Sequence, residues 1–312
     1  MPRQLQLYQV DAFTETPFKG NPAGVVLDAD TLTVEEMQAI ARELNNPETA
    51  FVTAADGPDH DFRIRFFSPT AEVPMCGHAT VAANHVRALL AGATEMNVTQ
   101  KTRIGLIPVE VRARDGATEV WMTLPVIEPG RALDGRQRER LLGALDLRDR
   151  DLIPGAPLQV VSSGNSMLMT PLAERATLHA LSPDLPALAS LCEDVRAQAC
   201  FAFTLDAEPG VFSHARMFGP ALGISEDPVT GTAYGPLGIY LVRHALTRHD
   251  GSSMRFRARQ GEAMGRPGTV SVEVAIERGA AVRVRVGGRA IVAFEAKLNL
   301  PEAAAAAGAT PA

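Results

Sequence analysis

Five short stretches of this 312-residue chain recur further along it in the same order. Gly20-Asn21 resembles Gly164-Asn165, and Ala50-Phe51-Val52 resembles Ala202-Phe203-Thr204. Arg65-Phe66-Phe67-Ser68-Pro69 resembles Arg216-Met217-Phe218-Gly219-Pro220. The octet Glu72-Val73-Pro74-Met75-Cys76-Gly77-His78-Ala79 resembles Glu226-Asp227-Pro228-Val229-Thr230-Gly231-Thr232-Ala233. Gln100 with Val109-Glu110-Val111 resembles Gln260 with Val272-Glu273-Val274. A shared order at so many places marks an internal duplication. The expected fold is therefore α+β, with two pseudo-symmetric halves, each a curled, mostly antiparallel sheet around a central helix. Residues 1–124 make the first half, with a C-terminal strand near 290–300 able to complete it, and residues 125–289 make the second. The link falls where Pro125, Pro129 and Gly130 cluster, and the Ala-rich residues 301–312 read as a flexible tail.

Local patterns support this outline. Residues 5–14, 23–27, 48–53, 62–67 and 104–124 read as strands by alternation or apolar runs. Thr33-Val34-Glu35-Glu36 is a capping box, and Met37, Ile40, Ala41 and Leu44 behind it predict a helix over 34–44. From Gly77 to Leu90 small and apolar residues fall nearly all round, which predicts a helix buried on most faces.

The two octets carry the chemistry. Each runs a glycine into a small residue at an expected helix start, where free N–H groups and partial positive charge favour an anion. Two such termini facing each other can share one carboxylate, so Cys76, Gly77, Thr230, Gly231 and Thr232 are candidate substrate-binding residues. The competing account is that these glycines only permit tight turns. His78 sits in the first turn, with Thr232 as its counterpart. Asp227 is either a plain cap or a partner that orients His78. Glu48 opens an otherwise apolar strand; it either faces water or is partly buried with a raised pKa, as a general base needs. Cys76 at a helix start is a candidate acid/base thiol with a lowered pKa. Its counterpart Thr230 is no ordinary base, which excludes a two-thiol mechanism.

Composition closes off other classes. The net charge is −6 with no basic block, so no nucleic-acid partner is expected. No run of 18 apolar residues exists, and the charged N-terminus does not read as a signal peptide, so no membrane association is expected. Three cysteines, an odd and sparse count, fit a reducing cytoplasm rather than a disulfide scaffold. No CxxC or HExxH occurs, and His244 and His249 are wrongly spaced for one helical face, so no metal is expected. With no phosphate-binding glycine loop and only Lys19, Lys101 and Lys297 as lysines, no cofactor is expected either.

Taken together, Val10-Asp11-Ala12-Phe13, Phe18-Lys19-Gly20-Asn21-Pro22-Ala23, Glu48-Thr49-Ala50-Phe51-Val52, Cys76-Gly77-His78-Ala79-Thr80 and Glu226-Asp227-Pro228-Val229-Thr230-Gly231 resemble the PhzF (phenazine-biosynthesis-like) family over residues 7–298. The resemblance implies a diaminopimelate-epimerase-like fold, a cofactor-independent isomerase and a homodimer. It implies Glu48 as the catalytic acid/base, assisted by His78 and Asp227, with Thr232 contacting substrate. Two departures stand out: Pro47 where serine commonly precedes the glutamate, and Thr232 in place of a serine. The expected reaction is a suprafacial proton shift within a small carboxylate-bearing substrate. The rivals are an epimerase using Cys76 with Glu48, and a non-catalytic small-acid-binding protein.

Overall fold

A computed structural model describes residues 3–114 and 116–301 of the chain; most of the Ala-rich tail lies outside them. The first half runs β1 (Arg3–Ala12), β2 (Asn21–Val26), α1 (Val34–Leu44), β3 (Glu48–Ala54), β4 (Phe62–Phe67), β5 (Glu72–Val73), α2 (Gly77–Ala91), β6 (Met96–Thr102), β7 (Gly105–Arg114) and β8 (Ala117–Leu124). The second runs α3 (Gly135–Leu145), β9 (Gln159–Ser162), β10 (Ser166–Leu172), α4 (Arg175–Ala180), α5 (Leu185–Asp194), β11 (Ala199–Thr204), β12 (Ser213–Gly219), β13 (Ile224–Asp227), α6 (Tyr234–Arg243), β14 (Ser253–Gln260), β15 (Gly268–Glu277) and β16 (Ala280–Gly288). A last strand, β17 (Ala290–Leu300), returns to pair with β1 from Ala12↔Ala290 to Arg3↔Leu300.

The pairing order repeats. The sheet is antiparallel except at β2–β3 and β4–β6, and at the corresponding β10–β11 and β12–β14. The halves join through antiparallel β8–β16, from Leu124↔Val284 to Val120↔Gly288. Matching side chains make matching contacts. Arg65 holds Glu72 through two 2.8 Å bonds, and Arg216 holds Glu226 through two of the same length. Each guanidinium also lies over a phenylalanine, Phe67 or Phe218. The fold is thus the duplicated α+β arrangement that the repeats imply.

The register corrects two of the sequence matches. Ala23 pairs with Glu48, whereas Met167, two residues past Asn165 as Ala23 is past Asn21, pairs with Ala199. Arg65 pairs with Phe51, and Arg216 with Ala202. Both ladders place Glu48 opposite Ala199 in the duplication, so the match of Ala50-Phe51-Val52 to Ala202-Phe203-Thr204 is one residue out. In a strand, a slip of one moves every side chain to the other face. Gln260 likewise sits two residues beyond the register position of Gln100, since Phe62 pairs with Gln100 while Ser213 pairs with Ala258.

Helix α1 is set by its capping box: the Thr33 hydroxyl accepts from the Glu36 N–H, and Glu36 accepts from the Thr33 N–H. Left-handed Asn45 ends it and delivers the chain to β3, which begins at Glu48. Helices α2 and α6 fill the centres of the two curled sheets, and one apolar core runs continuously through both halves. Gly238 in α6 lets that helix approach β15, since an added Cβ would lie 2.7 Å from Val274 Cγ2. Smaller clusters lie outside, under α1 in the first half and under α3 and α5 in the second. No helix among the described residues is long and apolar enough to cross a membrane.

Candidate active site

The two octet turns meet. An added Cβ on Gly77 would lie 2.7 Å from Thr232 Cγ2 and 3.5 Å from Thr232 N. Gly231 is equally constrained, because its added Cβ would lie 2.3 Å from the Phe13 ring. Glycine leaves room at each position for the neighbouring side chain, Thr232 against Gly77 and Phe13 against Gly231. The first turn is the start of α2, with Cys76 as N-cap. The second differs from expectation: Gly231–Ala233 is a turn of 3₁₀-helix, and α6 begins only at Tyr234. The reason is Pro236, whose ring cannot follow an α-helical residue four places earlier, so it must sit in the first turn of α6.

Around this junction lies a cavity of about 730 Å³ lined by both halves. Glu48 enters from the start of β3, Cys76 and His78 from the start of α2, and Asp227, Thr230 and Thr232 from the second octet. Ala199 lines it at the place that mirrors Glu48. Met167, Met217, Leu222 and Ile224 give it an apolar wall. No lysine or arginine lines it among the described residues.

Glu48 is mostly covered, its side chain 14% exposed. Burial pushes its carboxyl up to about 7; the Asp227 charge adds to the rise, and a hydrogen bond from Cys76 opposes it. The Cys76 thiol donates to Glu48 Oε2 at 3.4 Å and lies 3.4 Å from His78 Nδ1. His78 Nε2 lies 3.3 Å from the same Glu48 oxygen. Burial lowers His78 to about 3, so its ring is neutral at physiological pH.

Two sequence expectations are corrected here. Cys76 does not have the lowered pKa of an exposed helix-start thiol. Burial, with the charges of Glu48 and Asp227, raises it well above its usual value, against a weaker pull from the Ala79 N–H. Nor does Asp227 orient His78. Asp227 accepts from Asn21 Nδ2 at 2.8 Å and from the Thr230 hydroxyl. His78 instead has Glu48 and Cys76 as its neighbours. Burial raises the Asp227 pKa in spite of those two hydrogen bonds.

The site also uses residues with no role assigned from sequence. Buried Asn21 holds Asp227 and the Val229 carbonyl. Its repeat counterpart Asn165 donates to the Thr232 hydroxyl at 3.1 Å. Gln260 accepts from the Thr230 N–H and donates to the Asp227 carbonyl and the Thr230 hydroxyl. All three lie within the recurring stretches, which was the available signal. The ligand atoms of Glu48, Cys76 and His78 lie within 4.8 Å of one another, close enough to share a proton or hold a metal ion.

Fold and cavity together define a class: a duplicated α+β protein whose halves converge, through paired glycine turns, on one acid-lined pocket. Comparison with known proteins narrows it. The family model described as "Phenazine biosynthesis-like protein" matches residues 10–296. An uncharacterized isomerase of Clostridium acetobutylicum is 44% identical over 301 residues, covering 96% of this chain and 100% of the relative. The trans-2,3-dihydro-3-hydroxyanthranilate isomerase of Pseudomonas aeruginosa is 34% identical over 294 residues, covering 93% and 98%. The crystal structure of the Bacillus anthracis phenazine biosynthesis protein of the PhzF family superposes with a TM-score of 0.84 at 31% identity, covering 95% and 99%. The chain belongs to the PhzF (phenazine biosynthesis-like) family and is an isomerase of that family.

Proposed function

We propose that this isomerase moves a proton between two carbons of a small carboxylate-bearing substrate, with Glu48 as the single base and then the acid. The observation that carries this is the asymmetry of the pocket: a carboxylate with a pKa near 7 on one side and Ala199 at the mirror position on the other. A base poised near working pH transfers protons efficiently in both directions. Ionised Glu48 takes a proton from a carbon activated by a carboxylate or a conjugated system. The C–H electron pair moves into that system, and Glu48 returns the proton to another carbon on the same face. Neutral His78, beside the Glu48 oxygen, hydrogen-bonds the carboxyl group or the substrate without adding charge. Asp227 keeps the Glu48 pKa high. With no lysine or arginine in the lining among the described residues, the substrate carboxylate is met by the free N–H groups of Gly77 and His78 at the positive end of α2, and of Gly231 and Thr232 in the 3₁₀ turn before α6.

A cyclic or conjugated acid with an apolar body suits the methionine, leucine and isoleucine wall, and a relative is named for a dihydro-hydroxyanthranilate substrate. The test is NMR in deuterated water with a panel of small unsaturated acids. Deuterium at a new carbon with a shifted double bond supports the proposal. Inversion at one carbon would favour an epimerase using Cys76 with Glu48, and binding without exchange would mean a non-catalytic acid-binding protein. Turnover retained in Glu48→Gln would sink the one-base mechanism.

A further inference from the structure

Away from the pocket, the second half carries a polar cluster that the proposed reaction does not use. His214 on β12 is 1% exposed, and its two ring nitrogens face two carboxylates. Nε2 lies 2.9 Å from Glu208 Oε2 in hydrogen-bond geometry. Nδ1 lies 2.8 Å from Glu262 Oε1, yet it is a buried nitrogen without a hydrogen-bond partner, because the approach is out of line. A ring that donates from Nε2 presents a lone pair at Nδ1. A lone pair facing a carboxylate at that distance is repulsive, so Nδ1 holds either a proton, as the two glutamates favour by raising the His214 pKa in spite of burial, or a metal ion. His179 on α4 supplies a third donor, its ring centroid 6.1 Å from that of His214. Ligand atoms of His179, His214 and Glu262 lie within 4.8 Å of one another.

We infer that His179, His214 and Glu262 form a binding site for a zinc-class divalent metal ion. Two imidazoles and one carboxylate are a zinc-type donor set, with solvent completing the tetrahedron. Bonds of about 2.0–2.1 Å set tetrahedral edges of ~3.3 Å, so His214 Nδ1 and Glu262 Oε1 need to open slightly from 2.8 Å while His179 closes from within 4.8 Å. Glu208 on Nε2 is the outer carboxylate that fixes the tautomer of a ligating histidine. Arg259 Nε, 3.5 Å from Glu262 Oε1, and Arg175, on Glu208, now balance the carboxylates. Both arginines are more than a third exposed and free to swing towards water as the ion enters. Glu262 lies between Gln260, which holds Thr230, and Arg266, which reaches Asp11 and the Gly20 carbonyl. The ion would therefore tie α4 to the segment supporting both sides of Asp227.

The test uses untagged, chelator-stripped full-length protein titrated with zinc by calorimetry and with cobalt by visible absorption. The expected result is one saturable ion. Affinity should fall about 10-fold or more in His179→Ala and about 10–100-fold in Glu208→Gln. Arg259→Gln should tighten binding by removing a competing cation. Zinc should raise the melting temperature of the wild type but not of His179→Ala. No saturable binding, or equal binding in His179→Ala, would overturn the site and leave His214 as a doubly protonated ring between two glutamates. An ion lost in Cys76→Ala and kept in His179→Ala would overturn it too, by placing the metal in the reaction pocket.

Discussion

The Cys76-Gly77-His78 turn and the Thr230-Gly231-Thr232 turn occupy the same place in the two halves, yet their chemistry has diverged. Both keep the glycine that allows close approach and the helix start that offers N–H groups. The first adds a thiol and an imidazole, both touching Glu48. The second adds hydroxyls, with Asp227, Asn165 and Gln260 as partners. The strands show the same split, Glu48 against Ala199. A true two-fold would place two equal bases on opposite faces of a carbon, as a racemase needs. In the proposed mechanism the shared parts bind, and only one half transfers the proton.

Removing the proposed base should have the largest effect. Glu48→Gln should lower kcat/KM by about 10² or more, the usual contribution of a positioned acid/base. In the wild type kcat/KM should rise with pH as Glu48 ionises through about 7, then level off. The same group sets a stability trend. Its folded-state pKa is raised from 4.5 to about 7, so the folded protein binds the extra proton and loses stability as pH climbs through that window. Glu48→Gln should therefore melt at or above the wild type at pH 8, with the gap closing towards pH 4. A variant that melts lower at pH 8 would mean Glu48 is not the strained, buried carboxyl described.

Next comes the contact between the turns. Gly77→Ala places a methyl group 2.7 Å from Thr232 Cγ2, so either the Thr232 side chain turns or the two turns move apart. Loss of order 10–10²-fold in kcat/KM is expected for a displacement approaching 1 Å. A fully active Gly77→Ala would show that the turns need not meet. Asp227→Asn separates the electrostatic part: without that charge the midpoint of the pH profile should move below 7, towards the ordinary carboxylate range. A midpoint that stays put would assign the whole shift to burial.

The smallest effect belongs to Cys76. Its thiol is held protonated by burial and by two carboxylates, so Cys76→Ser should retain activity within roughly 10-fold, since a hydroxyl still donates to Glu48. A folded but inactive Cys76→Ser would restore the one-thiol epimerase.

Much of this was legible in the sequence because it depends on local rules. The capping box at Thr33 marks α1, and the small-residue run after Gly77 marks a central helix. The recurring stretches reveal the duplicated fold, since each copy must bury its face against the other. Even α3, outside the repeat, has a readable start, with Asp134 and Gln137 forming its capping box. Short motifs could not set strand register, because apolar strands tolerate a slip of one in sequence though not in space. Only the packed ladders assign Ala199 as the mirror of Glu48.

Electrostatics was also beyond the sequence. A helix start lowers the pKa of an exposed thiol, but what surrounds Cys76 is decided by residues brought from positions 48 and 227. Likewise, Asp227 pairs with Asn21 rather than His78 because the fold brings position 21 against position 227. The sequence by itself determined the duplicated fold, its central helices and the residue types at the junction, since these follow from periodicity, capping and repeated motifs. The tertiary structure alone decided which neighbours each titratable group meets and how much water it keeps, because pKa depends on distance and burial in space.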